Sequence, residues 1–273
     1  MKLKDLMIIA SKKCKENNLE IEAVKKLLIE LKYQSAANFI LGYNDDLDNE
    51  LIEKVNMYLD DLIPIQYILG YTYFYGLKIF VNRDVLIPRS DTEVLVEEAI
   101  KEINKNSFSK CLDLCTGSGA IGLAIKANTK CDVYGSDISI LALNVANDNK
   151  QALGLDVNYV KSDILENIDY QFDIILSNPP YIGYNDDVEK IVYKNEPHLA
   201  LFAEEEGLYF YKKILEEIKL KQHHIKMVIF EIGYKQAGKI IDIANLLFEN
   251  ITCEVIKDHA HLDRVLKISF NNK

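Results

Sequence analysis

The sequence predicts an α/β fold: a Rossmann-like, mostly parallel sheet with an antiparallel last strand, preceded by a small α-helical domain and a β-hairpin linker. Three observations predict it. From Lys110 onward, strand-like apolar runs alternate with amphipathic helical stretches, the pattern of a parallel sheet with helices on both faces. The chain finishes on two strand-like runs with no helix between them, which implies a terminal hairpin and an antiparallel last strand. Residues 1–70 show apolar residues at three- and four-residue intervals and no strand-like run.

Taken in order, LKDLMIIASKKCKE and IEAVKKLLIELKY read as two helices, with Lys and Glu between their apolar positions and a break at Asn17-Asn18. Gly42, followed by Tyr43 and Asn44-Asp45-Asp46, is a helix stop and restart. DNELIEKVNMYLDDL forms a further amphipathic helix that Pro64 ends. A helical domain is thus expected over 1–70, and by itself it reads equally as a stabilising cap or a substrate-docking module. The aromatic and β-branched run YTYFYGLKIFV around Gly76 predicts the hairpin of a linker over 71–86. In VLIPRSDTEVLVEEAIKEI, Pro88 stops an extended piece and Ser90 or Asp91 can cap the helix that follows. The second domain is expected over 87–273. Its strands are KCLDLC, CDVYGSD, VNYVKSD, FDIILSN and MVIFEIG, then the closing pair TCEVIKD and RVLKISF. Its helices are AIGLAIKAN, ILALNVANDNKQALG, LYFYKKILEEIKL and QAGKIIDIANLLFEN.

A chain of 273 residues, 49% of them apolar, can bury a sizeable core. Its formal net charge of −10 disfavours a grip on nucleic acid, whose phosphates demand Lys and Arg. The five cysteines, Cys14, Cys111, Cys115, Cys131 and Cys253, form neither a disulfide framework nor a zinc-ligand spacing. No stretch approaches a membrane span and the N-terminus has no signal-peptide pattern, so a reduced, cytoplasmic location is expected. His223-His224, His259 and His261 read as solvated loop residues, no metal site is expected, and Glu204–Glu206 reads as a solvated turn.

The chemistry concentrates in two motifs. DLCTGSGAIG (113–122) carries Gly117-x-Gly119-x-x-Gly122, with Asp137 about twenty residues later at the end of a strand. That spacing suits a dinucleotide or S-adenosylmethionine (SAM), since Gly117 and Gly119 let the backbone pass close to either ligand. Asp137 can accept ribose hydroxyl hydrogens, and Asp163 suits the neighbourhood of an adenine ring. Asp113 favours SAM, because a carboxylate before the glycine turn repels a pyrophosphate but attracts an ammonium and a sulfonium. Asp113 and Asp163 also read as caps of the segments that follow them. The cofactor set is Asp113, Cys115, Thr116, Gly117, Ser118, Gly119, Asp137, Asp163, Ile164 and Asn178. The second motif, Asn178-Pro179-Pro180-Tyr181, follows the strand FDIIL at the carboxyl edge of the sheet, where such folds bind ligands. Asn and Pro make turns. Two prolines after an Asn also fix a side-chain amide and a backbone carbonyl in one orientation, a clamp for a planar NH₂ group.

With these motifs the sequence resembles the class I SAM-dependent methyltransferases that modify amino groups of planar systems. It is most similar to the peptide chain release factor glutamine methyltransferases. PIQYILG (64–70), FYGLKIFV (74–81), VLIPRSDTEVLVEEA (85–99), DLCTGSGAIGLA (113–124), FDIILSNPPYI (172–182) and NEPHLAL (195–201) match that family in order. Ser90-Asp91, Ala203-Glu204 and His261 depart from its usual Pro-Glu, Gly-Gly and Gly. The resemblance implies SAM as cofactor, class I release factors as partner, and a helical domain that docks them. It implies methyl transfer to the side-chain amide nitrogen of the glutamine in their Gly-Gly-Gln motif. Asn178, Pro179, Pro180 and Tyr181 are then the catalytic set: Asn178 Oδ1 and the Pro179 carbonyl grip the amide hydrogens, Pro180 stiffens the loop, and Tyr181 packs on the amide plane. The alternatives are an adenine or guanine amino methyltransferase acting on DNA or RNA, a SAM-binding docking module without catalysis, and an oxidoreductase.

Overall fold

The computed structural model describes residues 1–169, 171–221 and 225–271; the expectation for His223-His224 lies outside them. Its elements run α1 (Leu3–Asn17), α2 (Ile21–Leu28), α3 (Ala36–Leu41), α4 (Asn49–Leu59), α5 (Ile65–Leu69), β1 (Tyr71–Phe74) and β2 (Leu77–Phe80). Then come α6 (Glu93–Asn106), β3 (Lys110–Leu114), α7 (Ala120–Asn128), β4 (Asp132–Asp137), α8 (Ile140–Leu153), β5 (Val157–Lys161), β6 (Ile174–Ser177) and β7 (Ile182–Gly183). The chain closes with α9 (Lys190–Asn195), β8 (Phe202–Ala203), α10 (Tyr209–Leu220), β9 (Met227–Glu231), α11 (Ala237–Leu247), β10 (Ile251–Lys257) and β11 (Asp263–Phe270).

The chain divides into two compact units, Met1–Thr72 with Val188–Asn195, and Tyr73–Asp187 with Glu196–Lys273. In the first, local chemistry sets several helix ends. Asn18 takes the left-handed conformation after α1 (φ 54°) and its N–H returns to the Cys14 carbonyl. Ser35 caps α3 by accepting from the Asn38 N–H, and Asp48 caps α4 by accepting from Leu51. The apolar stripes of α1, α2 and α4 meet in one core, with Leu3, Leu6, Val24, Leu27, Leu28, Val55 and Leu59 all buried. The six-residue α9, from far along the chain, joins this unit. Ile191 packs on its core, Asn195 Nδ2 donates to the Leu62 carbonyl (2.6 Å), and Lys194 donates to that of Asp61 (2.7 Å).

The second unit holds a seven-stranded sheet in the order β10-β11-β9-β6-β3-β4-β5. β5, β4, β3, β6 and β9 pair in parallel, whereas β11 lies antiparallel between β9 and β10, as the sequence predicts. Alternation splits β3 between faces. Leu112 and Leu114 pack with Tyr211, Ile214, Leu215 and Ile218 of α10, while Asp113 meets the start of α7. Lys267 of β11, read as a strand residue, is buried among carboxylates: Nζ lies 2.6 Å from Glu98 and 2.9 Å from Glu102 of α6. Asn149 of α8 has no exposed surface. It pairs with both Phe80 main-chain groups and donates to the Ser118 carbonyl (2.9 Å), tying β2 to the glycine loop. Among the described residues no helix is long and apolar enough to cross a membrane.

Two short features escape the sequence reading, α9 and the two-residue pair β7–β8. Glu204–Glu206 is an exposed turn, as expected, and Glu205 and Glu206 are left-handed (φ 54° and 56°) ahead of Gly207. His259 and His261 are exposed in the β10–β11 turn. His261 takes the left-handed conformation (φ 62°), which is why this position suits a glycine.

Candidate active site

The carboxyl ends of β3, β4, β5 and β6 converge on a cleft with about 850 Å³ of empty space. After β3 the chain turns through Cys115, itself left-handed (φ 59°), into the glycine loop. Asp137, the last residue of β4, braces that loop from the neighbouring strand. Its Oδ2 accepts the Gly117 N–H and its Oδ1 the Ser139 N–H, each at 2.9 Å. Burial raises the Asp137 pKa, against the pull of these backbone donors. Asp163 reaches the cleft beyond β5, where Oδ2 takes an ion pair from Lys213 (2.7 Å). Ile138, Ile164, Leu199 and Phe210 supply apolar wall.

β6 delivers Asn178. Ser177 fixes the strand end by donating to the Leu114 carbonyl (2.8 Å), and Asn178 Nδ2 donates to Thr92 Oγ1 (3.4 Å). Asn178 lines the large cleft and also a second recess, with about 400 Å³ of empty space, beside Phe74, Pro88, Arg89 and Thr92. Cys115, Gly117 and Leu86 border both cavities. Arg89 is held by the buried Glu196 (2.5 Å), which also accepts the Ile87 N–H, so two separate sequence motifs shape one wall.

Of the residues expected from sequence, Cys115, Gly117, Asp137, Asp163, Ile164, Asn178 and Pro180 line the cleft, and Thr116 and Ser118 line the recess. Asp113, Gly119, Pro179 and Tyr181 line neither. Asp113 turns inward: with no exposed surface, its Oδ2 accepts from Thr116 Oγ1 (2.5 Å) and the Gly122 N–H (2.9 Å). It ties the glycine loop to α7, and burial pushes its pKa up to about 7. Gly119 (φ 82°) makes room for the Tyr159 hydroxyl, which a Cβ there would overlap. The Tyr181 hydroxyl donates to Glu231 Oε1 (3.2 Å) and its carbonyl accepts from Gln236 Nε2 (2.9 Å), so the side chain is anchored to the end of β9. The sequence reading missed Leu86, Ile138, Ser139, Leu199, Ala200 and Phe210 of the cleft. Ile138 and Ser139 directly follow Asp137 and were within reach; Leu86, Leu199 and Ala200 lie in the motifs VLIPRSDTEVLVEEA and NEPHLAL, whose part in the site the spacing does not show, and Phe210 comes from a distant segment with no local signature.

The sheet order, the glycine loop after the first sheet strand and the acidic end of the second define a class I methyltransferase. The Methyltransferase small domain family model matches residues 90–199. A methyltransferase structure from Pyrococcus furiosus superposes with a TM-score of 0.54 at 19% identity, over 73% of this chain and 91% of that one. The release factor glutamine methyltransferase of Lactococcus lactis subsp. lactis is 37% identical over 256 residues, 93% of this chain and 94% of its own. That of Clostridium acetobutylicum is 36% identical over an alignment 283 positions long, which covers 97% and 98% of the two chains. The chain belongs to the release factor glutamine methyltransferases.

Proposed function

We propose that this enzyme transfers a methyl group from SAM to the side-chain amide nitrogen of the Gly-Gly-Gln glutamine in class I peptide chain release factors. The observation that carries the reading is Asn178, which borders both the large cleft and the smaller recess. The cleft fits the cofactor's adenosine. Asp137 lines it at the end of β4 where a carboxylate can accept ribose hydroxyls, and the apolar wall of Ile138, Ile164 and Phe210 suits a flat ring. Bound there, SAM supplies an electrophilic methyl carbon.

The protein's task is to make an amide nitrogen nucleophilic although its lone pair is delocalised into the carbonyl. Asn178 gives its NH₂ to Thr92, which turns Oδ1 toward an incoming N–H. The Pro179 carbonyl is assigned the other hydrogen. Gripping both favours a pyramidal nitrogen and directs its lone pair. These bonds strengthen as positive charge develops on nitrogen, so they act mainly in the transition state. The methylated nitrogen is acidic enough to lose its proton to water, and no side chain is required as base. The glutamine enters by the recess of Phe74, Pro88 and Arg89, the helical unit docks the release factor, and the enzyme works in the cytoplasm, where translation terminates.

Incubation with methyl-labelled SAM and unmethylated release factor, read by mass spectrometry, tests this. One methyl on the Gly-Gly-Gln glutamine is expected. Asn178→Ala should lower kcat by roughly 10²–10³ with cofactor affinity preserved. Label on DNA or RNA supplied in parallel, and none on the release factor, would overturn the substrate assignment.

A further inference from the structure

Among the described residues that wall the recess beside Asn178, Arg89 is the one cation, and none is a carboxylate. Its ion pair is lopsided. The side chain of Glu196 is only 1% exposed, whereas that of Arg89 is 39% exposed. Taking a carboxylate out of water is costly, and a pair made for stability gains little by leaving its cation open. Here the buried carboxylate acts as a mount. Its Oε1 accepts from Arg89 Nη2 (2.5 Å) and its Oε2 from the Ile87 N–H (3.1 Å), so it fixes the guanidinium together with the backbone just before it. A guanidinium carries five N–H groups in a rigid planar fork. Glu196 takes one of them, and the others have no partner among the described residues.

We propose that Arg89 is a substrate-binding residue that donates to main-chain carbonyl oxygens of the segment carrying the target glutamine. The inference rests on reading this recess as the glutamine's entrance. Charge selects the class of group. Glu196 neutralises Arg89, so the recess offers N–H donors with little net charge, which suits a neutral carbonyl better than a phosphate or a carboxylate. Catalysis then selects among carbonyls. A donor on the target amide's own oxygen would draw the nitrogen lone pair further into the carbonyl. That bond is strongest before methyl transfer and weakest in the transition state, so it would slow the reaction. Main-chain carbonyls beside the glutamine carry no such penalty, and holding them leaves the amide to Asn178 and Pro179. The glycines proposed to precede the glutamine let their backbone approach a wall closely.

A contact made equally before and during the reaction changes substrate affinity and leaves turnover alone. Two variants test this without stranding the buried carboxylate. Arg89→Lys keeps a cation for Glu196 but has no fork to spare for the substrate. Arg89→Gln combined with Glu196→Gln replaces the ion pair by a neutral hydrogen-bonded one. With release factor as acceptor, each should raise KM by about tenfold or more, the weight of one hydrogen bond to a charged donor. The kcat and the Kd for SAM should stay within about twofold of the parent. Calorimetric binding of the release factor in the absence of SAM should weaken by the same factor as KM. A fall in kcat at unmoved KM would put Arg89 on the reacting amide and overturn the proposal. A parent that methylates release factors beside variants with its own KM and kcat would make Arg89 a strut, and overturns this inference alone. A parent that leaves release factors unmethylated overturns the substrate reading, and this inference with it. Should Arg89→Lys not fold, the neutral pair decides alone.

Discussion

Asp113 sits in the most recognisable motif of the chain, yet its side chain faces away from the cleft that the motif builds. Its carboxyl titrates near 7 in the fold, against an ordinary value of 3.8 for the unfolded chain. The folded state therefore holds this proton more tightly. Its burial is free of electrostatic penalty below about pH 4, and stability drains away as pH rises from there toward 7, at up to about 1.4 kcal/mol per pH unit. Asp113→Asn keeps an oxygen for Thr116 and Gly122 without the charge. We expect urea midpoints of the two proteins to be alike at pH 4 and the variant to be the more stable at pH 8, with SAM affinity little changed. A variant that loses cofactor affinity would return Asp113 to the ligand. The sequence showed that an acidic residue, a glycine turn and a second carboxylate belong together, because those are adjacent in the chain or one strand apart. It could not show which way Asp113 points, nor that Gly119 exists to admit Tyr159, because both depend on what packs against the loop.

Elements were legible in proportion to their length. The five parallel strands and their helices each span enough residues to display a period, and the terminal hairpin declares itself by the missing helix. The pair β7–β8 has two residues per strand and no period to read. Beside it lies a turn that matters to the site. Glu205 and Glu206 are left-handed, and Gly207 (φ 84°) comes so close to the Tyr181 carbonyl that a Cβ would overlap it. Gln236 Nε2 donates to that same carbonyl, so the segment after Pro180 is held from two sides. Gly207→Ala cannot be accommodated without moving the clamp loop or the turn. It should cost about 1–3 kcal/mol of stability and lower kcat more than it weakens cofactor binding, as parallel urea and steady-state measurements would show. Unchanged turnover in this variant would separate the turn from the clamp.

On the scale of the whole molecule, the sequence anticipates a helical module ahead of the sheet but not its final member. Ile191 meets the core of α1, α2 and α4 across more than a hundred residues of chain, a pairing that no local pattern announces. Because α9 shares that core, its amides should exchange with solvent in the same opening step as those of α4, as native-state hydrogen exchange at rising denaturant would reveal. Exchange of residues 190–195 in step with β3 and β6 would instead assign the helix to the sheet. The borrowed helix also bears on the protein's own birth. Domains nearest the N-terminus ordinarily fold first as the nascent chain emerges. Here residues 1–72 leave the ribosome without one of their packing partners, and the module is not complete until Asn195 has cleared the exit tunnel, by which time most of the catalytic sheet has already been made.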